Sequence, residues 1–205
     1  MTASNLPIVA TKSLVLLASV DHIAPPIWRR IAVPQSIRLD HLHLVLQIAF
    51  DWDDSHLWQF SVGTADYVCE IDDDFGPPRG RSSQLARKST LMNALGTKKK
   101  INYWYDFGDD WHVTLKVERR VESDSSIPHC EAGERAGPPD DCGGLPGYFH
   151  LCEALADKNH ESHQDMIEWI GDFDPSSFAV DVVNQELKEV FAPRPKREAK
   201  AKKLQ

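Results

Sequence analysis

No segment of the chain approaches the roughly 20 apolar residues that a membrane-spanning helix needs. The apolar run from Leu14 to Val20 has only Lys12 ahead of it and Asp21 after it, which suits a strand better than a leader peptide. The expected compartment is therefore the cytoplasm. The four cysteines, Cys69, Cys130, Cys142 and Cys152, include no Cys-x-x-Cys pair, so the short knuckle favoured by structural zinc sites is missing. Free thiols are the default in a chain of 205 residues, which is large enough to do without a disulfide scaffold. Net positive charge is confined to one end. The segment from Pro193 to Gln205 carries six basic residues against Glu198, a net +5, which leaves −13 for the rest of a chain whose total is −8. A body that acidic is a poor partner for a phosphate backbone. The tail "PRPKREAKAKKLQ" has no apolar stripe and reads as a disordered, solubilising terminus that could touch nucleic acid.

What is present is concentrated in "INYWYDFGDDWHVTLKVERR", residues 101–120. Its Asp-Phe-Gly is the tripeptide that holds magnesium in protein kinases. The glycine-rich phosphate loop, the strand lysine and the His-Arg-Asp which that chemistry also needs are all missing. Alternation decides the structure instead. Ile101, Tyr103, Tyr105 and Phe107 form one apolar stripe, and Trp111, Val113, Leu115 and Val117 form another. A three-residue loop, Gly108-Asp109-Asp110, would pair Phe107 with Trp111, Tyr105 with Val113 and Tyr103 with Leu115, with both stripes on one face. The same register sets Asp106 across from His112. With Trp58, the aromatic residues of this hairpin are expected to form core rather than a ligand groove.

Along the rest of the chain, residues 13–23 and 27–34 read as strands joined around Pro25-Pro26. Trp28 is expected to be buried, with Arg29 or Arg30 pairing a nearby carboxylate. Leu39, Leu42, Leu46 and Ala49 recur at helical spacing, with His41 and His43 away from that stripe. "HLWQFSVG" and "DYVCEI" return to strand character before an Asp72-Asp73-Asp74 and Gly76-Pro77-Pro78 loop. Ser89 to Leu95 predicts a brief helix ended by Gly96. After Val121, glycine and proline are too frequent for regular elements, and a long functional or packed loop is expected as far as Tyr148. Helical patterns then occupy Tyr148 to Ala156, His163 to Ile170 and Val180 to Phe191, with His160 and His163 as surface residues. Strands first and helices last give an α+β fold: one domain over residues 13–191, with a mixed, mainly antiparallel sheet, a central hairpin and helices concentrated in the C-terminal third. Residues 1–12 form an N-terminal extension and 192–205 a basic tail.

The stretches "PPIWRRIAVP", "LDHLHLVLQIAFDWDDSHLWQF", "YDFGDDWHVTLKVE", "CEAGERAGPPDDCGGLPGY" and "MIEWIGDFDP", in this order, resemble the plasmid pRiA ORF-three-like family. Its members also travel under the label of insertion-element passenger proteins of the TnpR type. The resemblance runs from roughly residue 10 to 191 and implies a single α+β domain. The recombinase chemistry of that label is not supported by the residues. A tyrosine recombinase needs His-x-x-Arg, which does not occur, and Ser4 and Ser13 lack the βαβ setting of a serine recombinase nucleophile.

The polar residues left to carry function fall in predicted turns. The candidate site is His56, Asp106, Asp109, Asp110, His112, Asp140 and Asp141, within a wider set that adds His43, Gln47, Asp53 and Asp54. Mixed histidine and carboxylate donors suit zinc, manganese or iron. If these turns meet at one end of the sheet they make a metal or acid/base site; if not, they are acidic tips that blunt sheet edges. His129, Cys130 and Cys142, with Cys152, are a weaker zinc set. With no complete catalytic constellation, the leading expectation is a binding or accessory protein of mobile-element type. It would have no cofactor, and a protein partner is favoured over nucleic acid. A metal-dependent enzyme using the Asp/His turns and a DNA-associated recombination accessory protein are the alternatives.

Overall fold

The computed structural model describes residues 11–70, 79–123 and 125–193. The predicted Asp72 to Pro78 loop and the basic tail beyond Pro193 lie outside them. Eight strands form one sheet: β1 (Thr11–Val20), β2 (Trp28–Pro34), β3 (Trp58–Val62), β4 (Ala65–Val68), β5 (Ser82–Leu85), β6 (Lys100–Tyr105), β7 (Trp111–Ser123) and β8 (His129–Glu134). Their order is β5-β4-β3-β6-β7-β1-β2-β8, antiparallel throughout except for β4 with β5. The β6/β7 hairpin is therefore central, as the alternation of its residues predicts. The helices are α1 (Leu39–Phe50), α2 (Leu91–Leu95), α3 (Gly144–Ala156), α4 (His163–Ile170) and α5 (Val180–Phe191), three of them in the last third of the chain. The α+β expectation holds.

The predicted stripe of α1, Leu39, Leu42, Leu46 and Ala49, is buried. So is His43, which the spacing placed off it, and so is Gln47. The helix lies on aromatic residues of the sheet: His43 stacks on Trp58 with ring centres 4.1 Å apart, and Trp52 just beyond the helix stacks on Tyr105 at 4.8 Å. Trp58, Tyr103, Tyr105 and Trp111 are core residues, as expected.

The hairpin register departs from the expected one. Tyr105 pairs with Trp111, Tyr103 with Val113, and Trp104 with His112. The loop is the five residues from Asp106 to Asp110 instead of three. Asp106 and Asp110 adopt left-handed backbone (φ 52° and 62°), the Asp106 carboxylate accepts the Gly108 N–H at 2.9 Å, and the Asp110 N–H donates to the Asp106 carbonyl at 2.7 Å. Aspartate tolerates this conformation because its short side chain bonds the local backbone. The shift amounts to two residues, so parity is preserved and the buried face is the predicted one. Only the partners change: Asp106 does not face His112, and Phe107 is 43% exposed.

Two further expectations are corrected. The glycine-rich stretch after Val121 contains β8, an edge strand on β2. The Asn184 side chain of α5 binds the Cys130 N–H and C=O at 2.7 and 2.8 Å, as a neighbouring strand would. In β2 Arg29 is buried beside Ile31 and Val33, whereas Trp28 is only partly buried. Arg29 donates to the carbonyls of Ala49 (2.6 Å), Trp28 and Glu134 (both 2.9 Å) and lies over the Phe178 ring at 3.9 Å. Arg30 takes the expected carboxylate, Glu118, at 2.7 Å.

Candidate functional site

The turn after α1 (residues 51–57), the hairpin loop (106–110) and the loop after β8 (135–143) meet at one end of the sheet, and each is tied to the other two. The Asp106 N–H donates to the Leu57 carbonyl at 3.0 Å, joining the first to the second. Trp52 Nε1 donates to the Pro138 carbonyl and the Asp53 N–H to Asp140 Oδ2, both at 2.9 Å, joining the first to the third. The Gly143 N–H donates to Asp109 Oδ2 at 3.1 Å and closes the triangle. Gly144 makes the last contact possible. Its φ is +66°, and a Cβ there would lie 2.4 Å from the Asp109 carbonyl oxygen.

Beneath the turns, the polar residues of α1 form a closed circuit. The Asp54 N–H donates to Gln47 Oε1 (2.8 Å), and Gln47 Nε2 donates to Tyr103 Oη (2.9 Å). Tyr103 Oη meets His43 Nδ1 at 2.7 Å, and His43 Nε2 meets Asp54 Oδ1 at 2.5 Å. With Asp54 as a carboxylate, the Nε2 of His43 carries the proton, so Nδ1 accepts from the tyrosine hydroxyl and every partner is satisfied. Burial pushes the His43 pKa below its usual value, opposed by Asp54. His43, Gln47 and Asp54 are thereby occupied in holding the 51–57 turn.

That turn presents His56 to the other two. His56 Nδ1 lies 3.7 Å from Asp106 Oδ1, and His56 Nε2 lies 3.4 Å from Asp141 Oδ1. Nε2 is shielded from solvent and has no hydrogen-bond partner among the described residues. One donor atom from each of His56, Asp106 and Asp141 lies within 4.8 Å of the others, a group that could hold a metal ion. Asp106 is buried, while the Asp141 side chain is 78% exposed and free to turn. Asp140 stands beside them, accepting the Tyr105 hydroxyl at 3.0 Å. Burial raises the Asp140 pKa, and burial together with Asp140 pushes the Tyr105 hydroxyl far up. Of the seven non-glycine residues with positive φ among the described residues, five are aspartates of these three turns: Asp51, Asp54, Asp106, Asp110 and Asp141.

This chain belongs to the plasmid pRiA4b ORF-3-like protein family. The family pattern matches residues 12–182. The uncharacterized protein y4hQ of Sinorhizobium fredii (strain NBRC 101917 / NGR234) is 38% identical over 170 residues, covering 80% of this chain and 84% of that protein. The crystal structure of a protein of unknown function from Methanosarcina mazei Go1 superposes with a TM-score of 0.75 at 34% identity, over 85% of this chain and 98% of that one. The family resemblance of the sequence is thereby established, and membership attaches no catalytic or binding role to it.

Of the candidate residues, the fold gathers His56, Asp106, Asp140 and Asp141, and uses Asp109 and Asp53 to lock the turns together. Asp110 and His112 lie elsewhere. They bond each other at 3.0 Å, and His112 stacks on Trp104 at 5.3 Å on the opposite face of the hairpin. His129, Cys130 and Cys142 are not in the one potential metal group found among the described residues. Burial pushes the Cys130 thiol up and that of Cys142 to about 12, away from the thiolate that binds metal. The hydroxyls of Tyr103 and Tyr105 were not foreseen, because in the sequence both residues count only as apolar members of a stripe.

Proposed function

We propose that this family member binds a divalent transition metal through His56, Asp106 and Asp141, and uses it to activate water against a substrate in the adjoining cleft. The carrying observation is the approach of those three donors to within 4.8 Å at the meeting point of three interlocked turns. One imidazole and two carboxylates suit zinc, manganese or iron and leave coordination positions for water, whose proton a bound metal makes easier to remove. Asp140, whose carboxylate accepts the Tyr105 hydroxyl and the Asp53 N–H, adds a further acidic group beside them. A cleft of about 760 Å³ opens beside the site, sharing Asp53, Asp140 and Asp141 with it. Among the described residues no helix is long and apolar enough to cross a membrane.

The test is thermal denaturation of the full chain after chelator treatment, with Zn²⁺ or Mn²⁺ added back and metal content measured. Metal at 100 times its Kd should add about 2.7 kcal/mol, a rise of about 5 to 10 °C. His56→Gln and Asp141→Asn should abolish the rise while leaving the metal-free midpoint nearly unchanged. A wild-type protein that neither shifts nor retains metal would end this reading.

A second reading, a binding role toward a protein, is favoured by the half-exposed Trp169 and Val182 on the cleft wall.

A further inference from the structure

The cleft has one wall of apolar and aromatic residues and a rim of carboxylates. Trp169 at the end of α4 is 49% exposed and Val182 on α5 is 55% exposed, with Phe173 and Phe178 between them in the lining. Asp51, Asp172 and Glu186 stand exposed around this wall, joined by the acidic residues of the site. The one basic residue in the lining, Arg29, cannot offset them for a ligand. It is 1% exposed and spends its donors on the carbonyls of Ala49, Trp28 and Glu134. The cleft therefore selects for positive charge, and the exposed indole of Trp169 offers a face on which a guanidinium or ammonium group gains further attraction.

The chain supplies one segment of that chemistry. Between residues 194 and 205 it carries Arg194, Lys196, Arg197, Lys200, Lys202 and Lys203 against Glu198 alone. The segment is tethered to a wall of the cleft. It follows directly on α5, which ends at Phe191, and α5 contributes Val182, Val183 and Glu186 to the lining. At about 1.5 Å of rise per helical residue, Glu186 lies roughly 8 Å back from the helix end, well within the roughly 30 Å that ten extended residues span. A tether this short gives an effective concentration that raises weak charge pairing to substantial occupancy. We infer that the basic segment 194–205 docks in the acidic cleft of its own chain, with arginine and lysine against Asp51, Asp172 and Glu186. The inference stands without the metal, because none of these three carboxylates belongs to the His56 group.

The test is zero-length carbodiimide coupling on the full chain, which joins a lysine amine to a carboxylate only when the two are in contact, with the products mapped by mass spectrometry. A mixture of isotopically light and heavy protein separates links within one chain from links between two. Expected are light–light and heavy–heavy links from Lys196, Lys200, Lys202 or Lys203 to Asp51, Asp172 or Glu186, suppressed by high salt. The links to Asp51 should also be suppressed in the Asp172→Asn/Glu186→Gln double variant, which should keep the wild-type response to metal. Links spread evenly over exposed carboxylates, such as Glu122 at the end of β7 opposite the hairpin loop, would overturn the inference. So would mixed light–heavy links making up about half of the total, the share that random pairing of an equal mixture gives, which would put the segment on a second copy.

Discussion

At Trp111 and Phe107, two aromatic residues of one hairpin have opposite fates. Trp111 is 1% exposed and closes against Tyr148, whereas Phe107 sits in the loop at 43%. Trp111→Ala should cost about 3 to 5 kcal/mol in denaturant unfolding, because a large ring is lost and a cavity remains. Phe107→Ala should change stability by about 0.5 kcal/mol or less. Equal losses at the two positions would contradict the observed register. His43 supplies a pH signature. Its charged form is penalised by burial, so the unfolded chain binds the proton more readily than the folded one. Its effect on stability is flat above the ordinary histidine value of about 6.5, and stability falls as pH drops from there toward the lower folded pKa. His43→Gln should flatten that slope in unfolding curves recorded from pH 8 to 5. A slope unchanged in the variant would place the titrating group elsewhere.

The elements themselves were largely legible in the sequence. The stripe of α1, the C-terminal helices α4 and α5 and the two arms of the central hairpin follow from periodicity, because each buries one regular face. Edges and turns were less so. β8 lies in "HCEAGE", where glycine and charge hide a strand whose outer edge is satisfied by the Asn184 side chain. The hairpin loop is five residues long because Asp106 and Asp110 take left-handed backbone, a possibility that alternation cannot distinguish from a three-residue loop of the same parity. Likewise, the letters singled out the acidic turns, yet nothing in their spacing could show that Asp109 would bind the Gly143 N–H and bring them together. That contact gives a test at the level of the loops. Gly144→Ala should destabilise the fold by about 1 to 3 kcal/mol, since the new Cβ strikes the Asp109 carbonyl and φ is positive. It should also weaken metal binding without touching a ligand. Metal binding that survives unchanged in the folded variant would show that the site does not depend on the interlock.

For the whole molecule, the sheet and α1 act as a scaffold that delivers three turns to one place, and an acidic cleft opens beside them. Part of the −13 body charge is gathered at that end, around the proposed metal ligands and on the rim of the cleft. The family match extends over residues 12–182, so the scaffold and all three turns fall within what relatives share in sequence pattern. His56, Asp106 and Asp141 are the proposed metal ligands. The most direct measurement is anomalous X-ray scattering at the metal absorption edge from crystals of the full chain equilibrated with Zn²⁺. One strong anomalous peak is expected about 2.0 to 2.2 Å from a ring nitrogen of His56 and from carboxylate oxygens of Asp106 and Asp141. A map with no peak between these three residues, or with its peaks only at other histidines such as His150 and His160, would contradict it.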